Sequence, residues 1–282
     1  MTAELFDDRA CELGEGALWH PERGQLFWFD ILGRRLLSRG ADGPLEWPMG
    51  ELTSAAGWID RDTLLLASET GFFTFDIITG AREMVAPLEA DHPANRSNDG
   101  RADPAGGFWI GTMGKAAEPG HGGIWRFYKG EVRLLFDTIT IPNSICFAPD
   151  GSRAFFADTP TQMIRTVPLD EAGWPAGTPT VFLDLTEEKR FPDGAVTDAE
   201  GGLWSAQWGS GRVARYFPDG TFDRAVAVPA HQSTCPAFGG TDFATLYITS
   251  AWEGLDAREA VDGQTFSIVP GGTGRAEPRV LL

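Results

Sequence analysis

One pattern recurs six times along these 282 residues, and it restricts the fold more than any other feature. Each copy is a segment of small residues, then a turn, then a short apolar run. The first is "EGALWHPERGQLFWFD", followed by "SAAGWIDRDTLLLAS", "NDGRADPAGGFWIGT", "NSICFAPDGSRAFFAD", "DGAVTDAEGGLWSAQ" and "CPAFGGTDFATLYITS". Anchored on the turn, the units begin at Glu15, Ser54, Asn98, Asn143, Asp193 and Cys235. The spacing of roughly 40 to 50 residues is the length of a four-stranded propeller blade. Helical periodicity is nearly absent, and the apolar runs are bounded by Gly, Pro and Asp clusters that read as turns. The expected fold is therefore all-β: a six-bladed β-propeller with a central channel, residues 1–282 forming a single domain. A β-sandwich would explain the strands but not a sixfold recurrence in register.

Within this frame, "RLLSRG" then "PLEWPM" and "RVARYF" then "TFDRAV" fit third and fourth strands of their blades. "EPRVLL" is expected to end the last blade. "AELFDD" is expected to supply an extra edge strand there, closing the ring and removing an open sheet edge. A closed ring makes a monomer the expected state.

The formal net charge of −17 speaks against nucleic acid or an anionic membrane as partner, because both require a basic face. No basic segment followed by an apolar run opens the chain, and no apolar run reaches spanning length, so neither a signal peptide nor a membrane helix is expected. Three scattered cysteines, Cys11, Cys146 and Cys235, read as reduced thiols of a cytoplasmic protein.

Residues at the same place in each unit converge on the axis of a propeller. Glu15, Ser54, Asn98, Asn143, Asp193 and Cys235 would then ring one mouth of the channel. Two carboxylates brought together without a counter-charge repel one another, and a divalent cation relieves the conflict. Glu15, Asp193 and the carbonyl oxygen of Asn143 make an oxygen-donor set suited to a hard cation. Coordination positions left to water or substrate mark such a site as catalytic rather than structural.

Asp or Asn before Gly is ordinarily a turn residue, and Phe-Pro-Asp-Gly occurs twice, at 191–194 and 217–220, with a further Pro-Asp-Gly at 149–151. Asp150 and Asp219 fall between strands of their blades. Asp193 begins its unit, in phase with Glu15 and Asn143. Arg96 shares the channel-facing side of Asn98 by strand alternation. His92 is read as loop surface. The stretch "MGKAAEPGHGG" is expected to cover the mouth, bringing Glu118 or His121 to the substrate. Cys235 lacks a basic partner and is read as a small buried thiol. A Gly-x-Ser-x-Gly elbow, a phosphate-binding loop and a Cys-x-x-Cys pair are all absent from the sequence, which sets those chemistries aside.

Four separated segments, "LGEGALWHPERGQLFWFDI", "NRSNDGRADPAGGFWIGTM", "IPNSICFAPDGSRAFFADT" and "FPDGAVTDAEGGLW", make the chain resemble the gluconolactonase/senescence marker protein (regucalcin) family of sugar lactonases. The resemblance implies a six-bladed propeller with one divalent metal (Ca, Zn, Mn, Mg or Fe(II)) in the channel, held by Glu15, Asn143 and Asp193. It also implies substrate contacts at Arg96 and Asn98. The implied activity is hydrolysis of aldono-lactones to aldonic acids; the expected catalytic residues are Asp193 and Asn98, and the expected substrate-binding ones are Arg96 and Asn98, with Glu118 added from its place in the loop. Ser97 and the loop after Met113 depart from the family pattern, and that loop shapes the sugar pocket. The competing expectations are a metal-dependent esterase or phosphotriesterase and a non-catalytic calcium-binding or protein-interaction propeller.

Overall fold

In the computed structural model, which describes residues 1–282, each apolar run becomes the second strand of a four-stranded antiparallel sheet. There are six such sheets, arranged as the blades of a β-propeller. The strand Gln25–Asp30 of blade 1 is buried at every position, and Thr63–Ser68 of blade 2 at all but its first. Both faces of a blade pack against neighbouring blades, so these strands read as nearly continuous apolar runs instead of alternating ones. The core accordingly lies in the wedges between blades. Phe27, Phe29 and Leu36 of blade 1 pack with Leu64, Leu66 and Phe75 of blade 2, and Trp204 and Val213 of blade 5 pack with Phe238 and Phe266 of blade 6.

The strands nearest the axis are Gly14–His20, Thr53–Asp60, Asn95–Ala102, Pro142–Phe147, Phe191–Thr197 and Gln232–Gly239, for blades 1 to 6 in turn. The outer strands of blades 1 and 5, Arg35–Gly40 with Gly43–Pro48 and Arg212–Tyr216 with Phe222–Ala227, fall where the sequence put them. Blade 6 ends in Thr265–Ile268, and the N-terminal strand Glu4–Asp7 completes it as the outermost strand, pairing Glu4 with Ser267 and Leu5 with Phe266.

The C-terminus departs from expectation. "EPRVLL" forms no strand and belongs to no blade. Residues 269–282 instead run across the end of the channel remote from the Glu15 mouth and touch five blades. Thr273 O accepts from Ala199 N (2.9 Å), Gly274 N donates to Phe243 O (2.8 Å), Val280 N donates to Trp58 O (2.9 Å) and Leu281 N donates to Gly106 O (2.8 Å), while Arg275 donates to Phe147 O and Pro149 O, both at 3.0 Å. With Glu4–Asp7 already filling the edge of blade 6, the tail has no strand to pair with and satisfies its backbone against the blade ends. No helix of the chain is long and apolar enough to cross a membrane.

Each inner strand is irregular near its start, and that of blade 2 is so again between Trp58 and Asp60. Pairing with the second strand breaks between Glu15 and Leu18, Ser97 and Gly100, Asn143 and Cys146, Pro192 and Ala195, and Ser233 and Pro236, and in blade 2 between Thr53 and Ala55. Bulges of this kind re-aim side chains and bend the strand, and here they stand at one level around the axis.

Candidate active site

Glu15 and Asn143 are the last paired residues before their bulges, while Asn98 and Asp193 are the first unpaired ones. A strict repeat register would put these four side chains one step apart. The bulge absorbs the difference, and all four line one cavity of about 360 Å³. The backbone turns sharply after both paired residues. Gly16 has φ +60°, and a Cβ there would collide with the carbonyl of Ser54. Ser144 takes φ +58° despite its side chain, held by its hydroxyl donating to Asp193 O at 2.6 Å.

Ser54 and Cys235, the other two residues of the expected ring, are buried but outside the cavity. The Ser54 hydroxyl donates to Ser97 Oγ (2.8 Å). Cys235 sits two residues past its last paired position, packed with Ala17 and Ala237. Burial pushes its thiol well above the usual range, which makes it unreactive.

The Glu15 and Asp193 side chains are both nearly inaccessible and line the same cavity. Burial and then the carboxylate of Asp99 push Glu15 up to about 8, and Asp193 is driven well above the carboxylate range by burial and then by Glu15 itself. Asp99 lies buried beside them, accepting from Ile145 N at 2.7 Å, and burial raises it to about 6. No arginine or lysine forms an ion pair with Glu15 or Asp193.

The amide of Asn143 is oriented. Thr159 Oγ1 donates to Pro192 O (2.7 Å) and must therefore accept from Asn143 Nδ2 (2.8 Å). That fixes Asn143 Oδ1 on the side of Asn98, whose Nδ2 donates to it at 3.0 Å. Two carboxylates in need of a counter-charge and an amide oxygen held by its neighbours suit a hard divalent cation.

A measurable consequence concerns the metal-free protein. Glu15 keeps its proton in the fold at pH values where the unfolded chain, with a value near 4.5, has lost it. Folding then takes up protons, so stability declines as pH rises from the unfolded value through the folded one. Thermal melts of EDTA-treated protein should show a falling Tm between about pH 5 and pH 8, and a divalent cation should restore most at the upper end. A metal-free Tm that climbs across this window would contradict the carboxylate pairing.

Arg96 is buried, donating from Nη1 to Ser97 O (2.9 Å) and to Asn98 Oδ1 (2.7 Å). Asn98 thus links the guanidinium to Asn143, with its Nδ2 also donating to Pro142 O at 3.0 Å. The Nε and Nη2 of Arg96 carry no protein hydrogen bond and are the donors left for a ligand.

The loop after Met113 does border the cavity, through Lys115, Ala116 and Ala117. Glu118 does not line it. Its carboxylate turns back to accept from the backbone N–H of Ala116 at 3.1 Å. His121 and His92 are exposed. Thr159, Trp208 and Glu253 complete the walls. None of these three carries a sequence signal, since a lone threonine, tryptophan or glutamate beyond the repeat motif has no phase to mark it. Asp150 and Asp219 are exposed turn residues, each accepting through Oδ1 from the backbone N–H two residues on, at 3.0 and 2.9 Å.

Comparison with known proteins agrees with this architecture. Residues 13–252 match the SMP-30/Gluconolactonase/LRE-like region. The L-arabinolactonase of Azospirillum brasilense is 39% identical, covering 90% of this chain and 85% of its own length. The 6-deoxy-6-sulfogluconolactonase of Pseudomonas putida is 34% identical over 94% of each chain. The crystal structure of a calcium-binding protein, regucalcin, from Agrobacterium tumefaciens superposes with a TM-score of 0.97 at 42% identity, covering 100% of this chain and 98% of that one. The sixfold repeat, the bulged inner strands and this match over most of the chain establish that the protein belongs to the SMP-30/gluconolactonase/LRE-like family.

Proposed function

We propose that this protein hydrolyses sugar lactones to aldonic acids, using one divalent cation held by Glu15, Asn143 and Asp193. The observation that carries the reading is the buried Glu15–Asp193 pair, which no ion pair neutralises, in the same cavity as a buried arginine with unused donors. Relatives named as lactonases of arabinose- and gluconate-type sugars support it.

A cation held by Glu15, Asn143 and Asp193 would supply Lewis acidity toward the lactone carbonyl oxygen and would lower the pKa of a water. The chain does the rest. Asp193 orients the attacking water and accepts its proton at a carboxylate oxygen. The proton then passes to the ring oxygen as the C–O bond breaks, leaving a hydroxyl and a carboxylic acid. Arg96 holds the substrate through Nε and Nη2, and a guanidinium positioned in advance stabilises the negative charge growing on the carbonyl oxygen. Asn98 keeps Arg96 and Asn143 in mutual position, and its remaining Oδ1 lone pair can take a substrate hydroxyl. Met113, Ile141 and Trp208 in the walls give the sugar ring an apolar seat.

The experiment is proton release on a panel of aldono-γ- and δ-lactones and simple esters, before EDTA treatment, after it, and after add-back of Ca, Zn, Mn, Mg or Fe(II). Lactone rates should exceed ester rates by orders of magnitude and vanish on chelation. Full activity in verified metal-free protein would overturn the metal requirement, and esters turned over as fast as lactones would overturn the substrate class.

A further inference from the structure

Two ionisable side chains in the cavity lining, Lys115 and Glu253, have no part in the chemistry above. Glu253 follows the second strand of blade 6, Thr245–Ala251, at the rim of the channel. Its backbone is anchored on two blades. Its N–H donates to Glu12 O (3.0 Å), as does that of Trp252 (3.1 Å), and its own carbonyl accepts from Gln232 Nε2 (2.9 Å). The rim segment beyond it is fastened as well. The Asp262 carboxylate accepts from the backbone N–H of His231 (2.9 Å) and of Glu259 (2.8 Å), and Gly263 O accepts from Cys11 N (2.9 Å).

The Glu253 carboxylate, by contrast, makes no hydrogen bond or ion pair with the protein, although it is half-buried. Both its oxygens stay available to a ligand. Burial raises the Glu253 carboxyl above its ordinary value, Glu12 adds to that rise and Arg96 is the favourable charge opposing it, while Arg96 keeps Nε and Nη2 unused. The other cation at the rim is committed: Lys115 Nζ donates to Pro93 O at 2.8 Å and pairs with Glu69. Beyond Glu15, Asp193 and the two amides, the cavity therefore offers a ligand one donor-only group, Arg96, and one acceptor-only group, Glu253, with no second free cation to receive an anion.

We propose that Glu253 sets substrate specificity, accepting hydrogen bonds from the hydroxyls of neutral, polyhydroxylated lactones and repelling lactones that carry an anionic end. The inference rests on the lactonase reading. Hydrogen bonds from hydroxyls to an ionised acceptor are stronger than neutral ones, and a site built to receive a hydroxyl rejects an analogue that cannot supply it. The rigid mounting means that little ordering is needed when substrate arrives.

The test compares wild type with Glu253→Gln and Glu253→Ala on a neutral aldonolactone and on a lactone of the same ring size bearing a free carboxylate, with circular dichroism to verify folding. Loss of one charge-assisted contact should raise KM for the neutral lactone roughly tenfold in Glu253→Ala, with kcat within about threefold. In both variants kcat/KM for the anionic lactone should rise relative to the neutral one. Calorimetric binding of the neutral lactone to protein loaded with an inactive cation should weaken in parallel. An active wild type whose preference is the same in both folded variants overturns the role of Glu253 alone. A wild type that opens neither lactone overturns the lactonase reading and this inference with it.

Discussion

Replacing Asp193 with alanine is expected to lower kcat/KM on an aldonolactone by about a thousandfold or more, while the fold survives. The side chain serves two purposes in the proposed reaction, cation ligand and acceptor of the water proton, and no neighbour can substitute. Asp99 is buried nearby, but its Oδ2 is committed to Ile145 N. The structural cost is small because Asp193 acts on the fold through its main chain: Ser144 Oγ donates to Asp193 O, and that contact survives any side-chain change. Removing one of two mutually repelling buried carboxylates also lifts a penalty from the metal-free fold. Metal-free Asp193→Ala should consequently melt no lower than wild type at pH 8, yet lose the extra stability that a divalent cation confers. Asp219→Ala is the matched control, since that aspartate shares the Phe-Pro-Asp-Gly motif but sits in an exposed turn. Near-normal turnover by Asp193→Ala would remove this residue from the reaction.

The second large effect belongs to the far end of the channel and to stability. Glu277, carried by the C-terminal tail, pairs with Arg101 on the inner strand of blade 3, and both side chains are almost wholly buried. Arg101 also donates to Ile145 O and to Pro236 O, each at 3.3 Å, so one guanidinium ties blade 3 to blades 4 and 6 around the axis. The tail is held in turn by Trp58 Nε1 donating to Glu277 O at 2.7 Å. Glu277→Ala leaves the guanidinium buried without its counter-ion, which should cost about 3 kcal/mol or more, read as a lower midpoint in urea. Since the pair stands away from the sugar cavity, KM for the lactone should stay near its wild-type value. Unfolding midpoints that coincide for wild type and Glu277→Ala would show that the Glu277–Arg101 pair contributes nothing to the closed end.

Much of this protein is legible in its sequence because a propeller blade is a local unit. Its strands, turns and apolar wedges come from neighbouring residues, and the period of the repeat reports the number of blades. The same periodicity selected Glu15, Asn98, Asn143 and Asp193, which the structure gathers in one cavity, and it separated Asp193 from the turn residues Asp150 and Asp219. It failed at Ser54, which stands at the same first unpaired position as Asn98 and Asp193 but turns its hydroxyl to Ser97, and at Cys235, one position further along its bulge. The bulges shift each inner strand by an amount that no local pattern encodes, and a slip of one residue sends a side chain from the channel to the interior. The orientation of Glu118 was equally invisible, being set by a single hydrogen bond within its own loop. Blade count, closure by the N-terminal strand and the polar character of the channel follow from the chain alone. The course of the C-terminal tail, the burial of Glu15 and Asp193 in one cavity, and the arrival of Glu253 beside them follow only from ring closure. Closure brings into contact residues that lie far apart along the chain, and the energies that decide their placement, burial of charge and completion of hydrogen bonds, exist only once those residues have met.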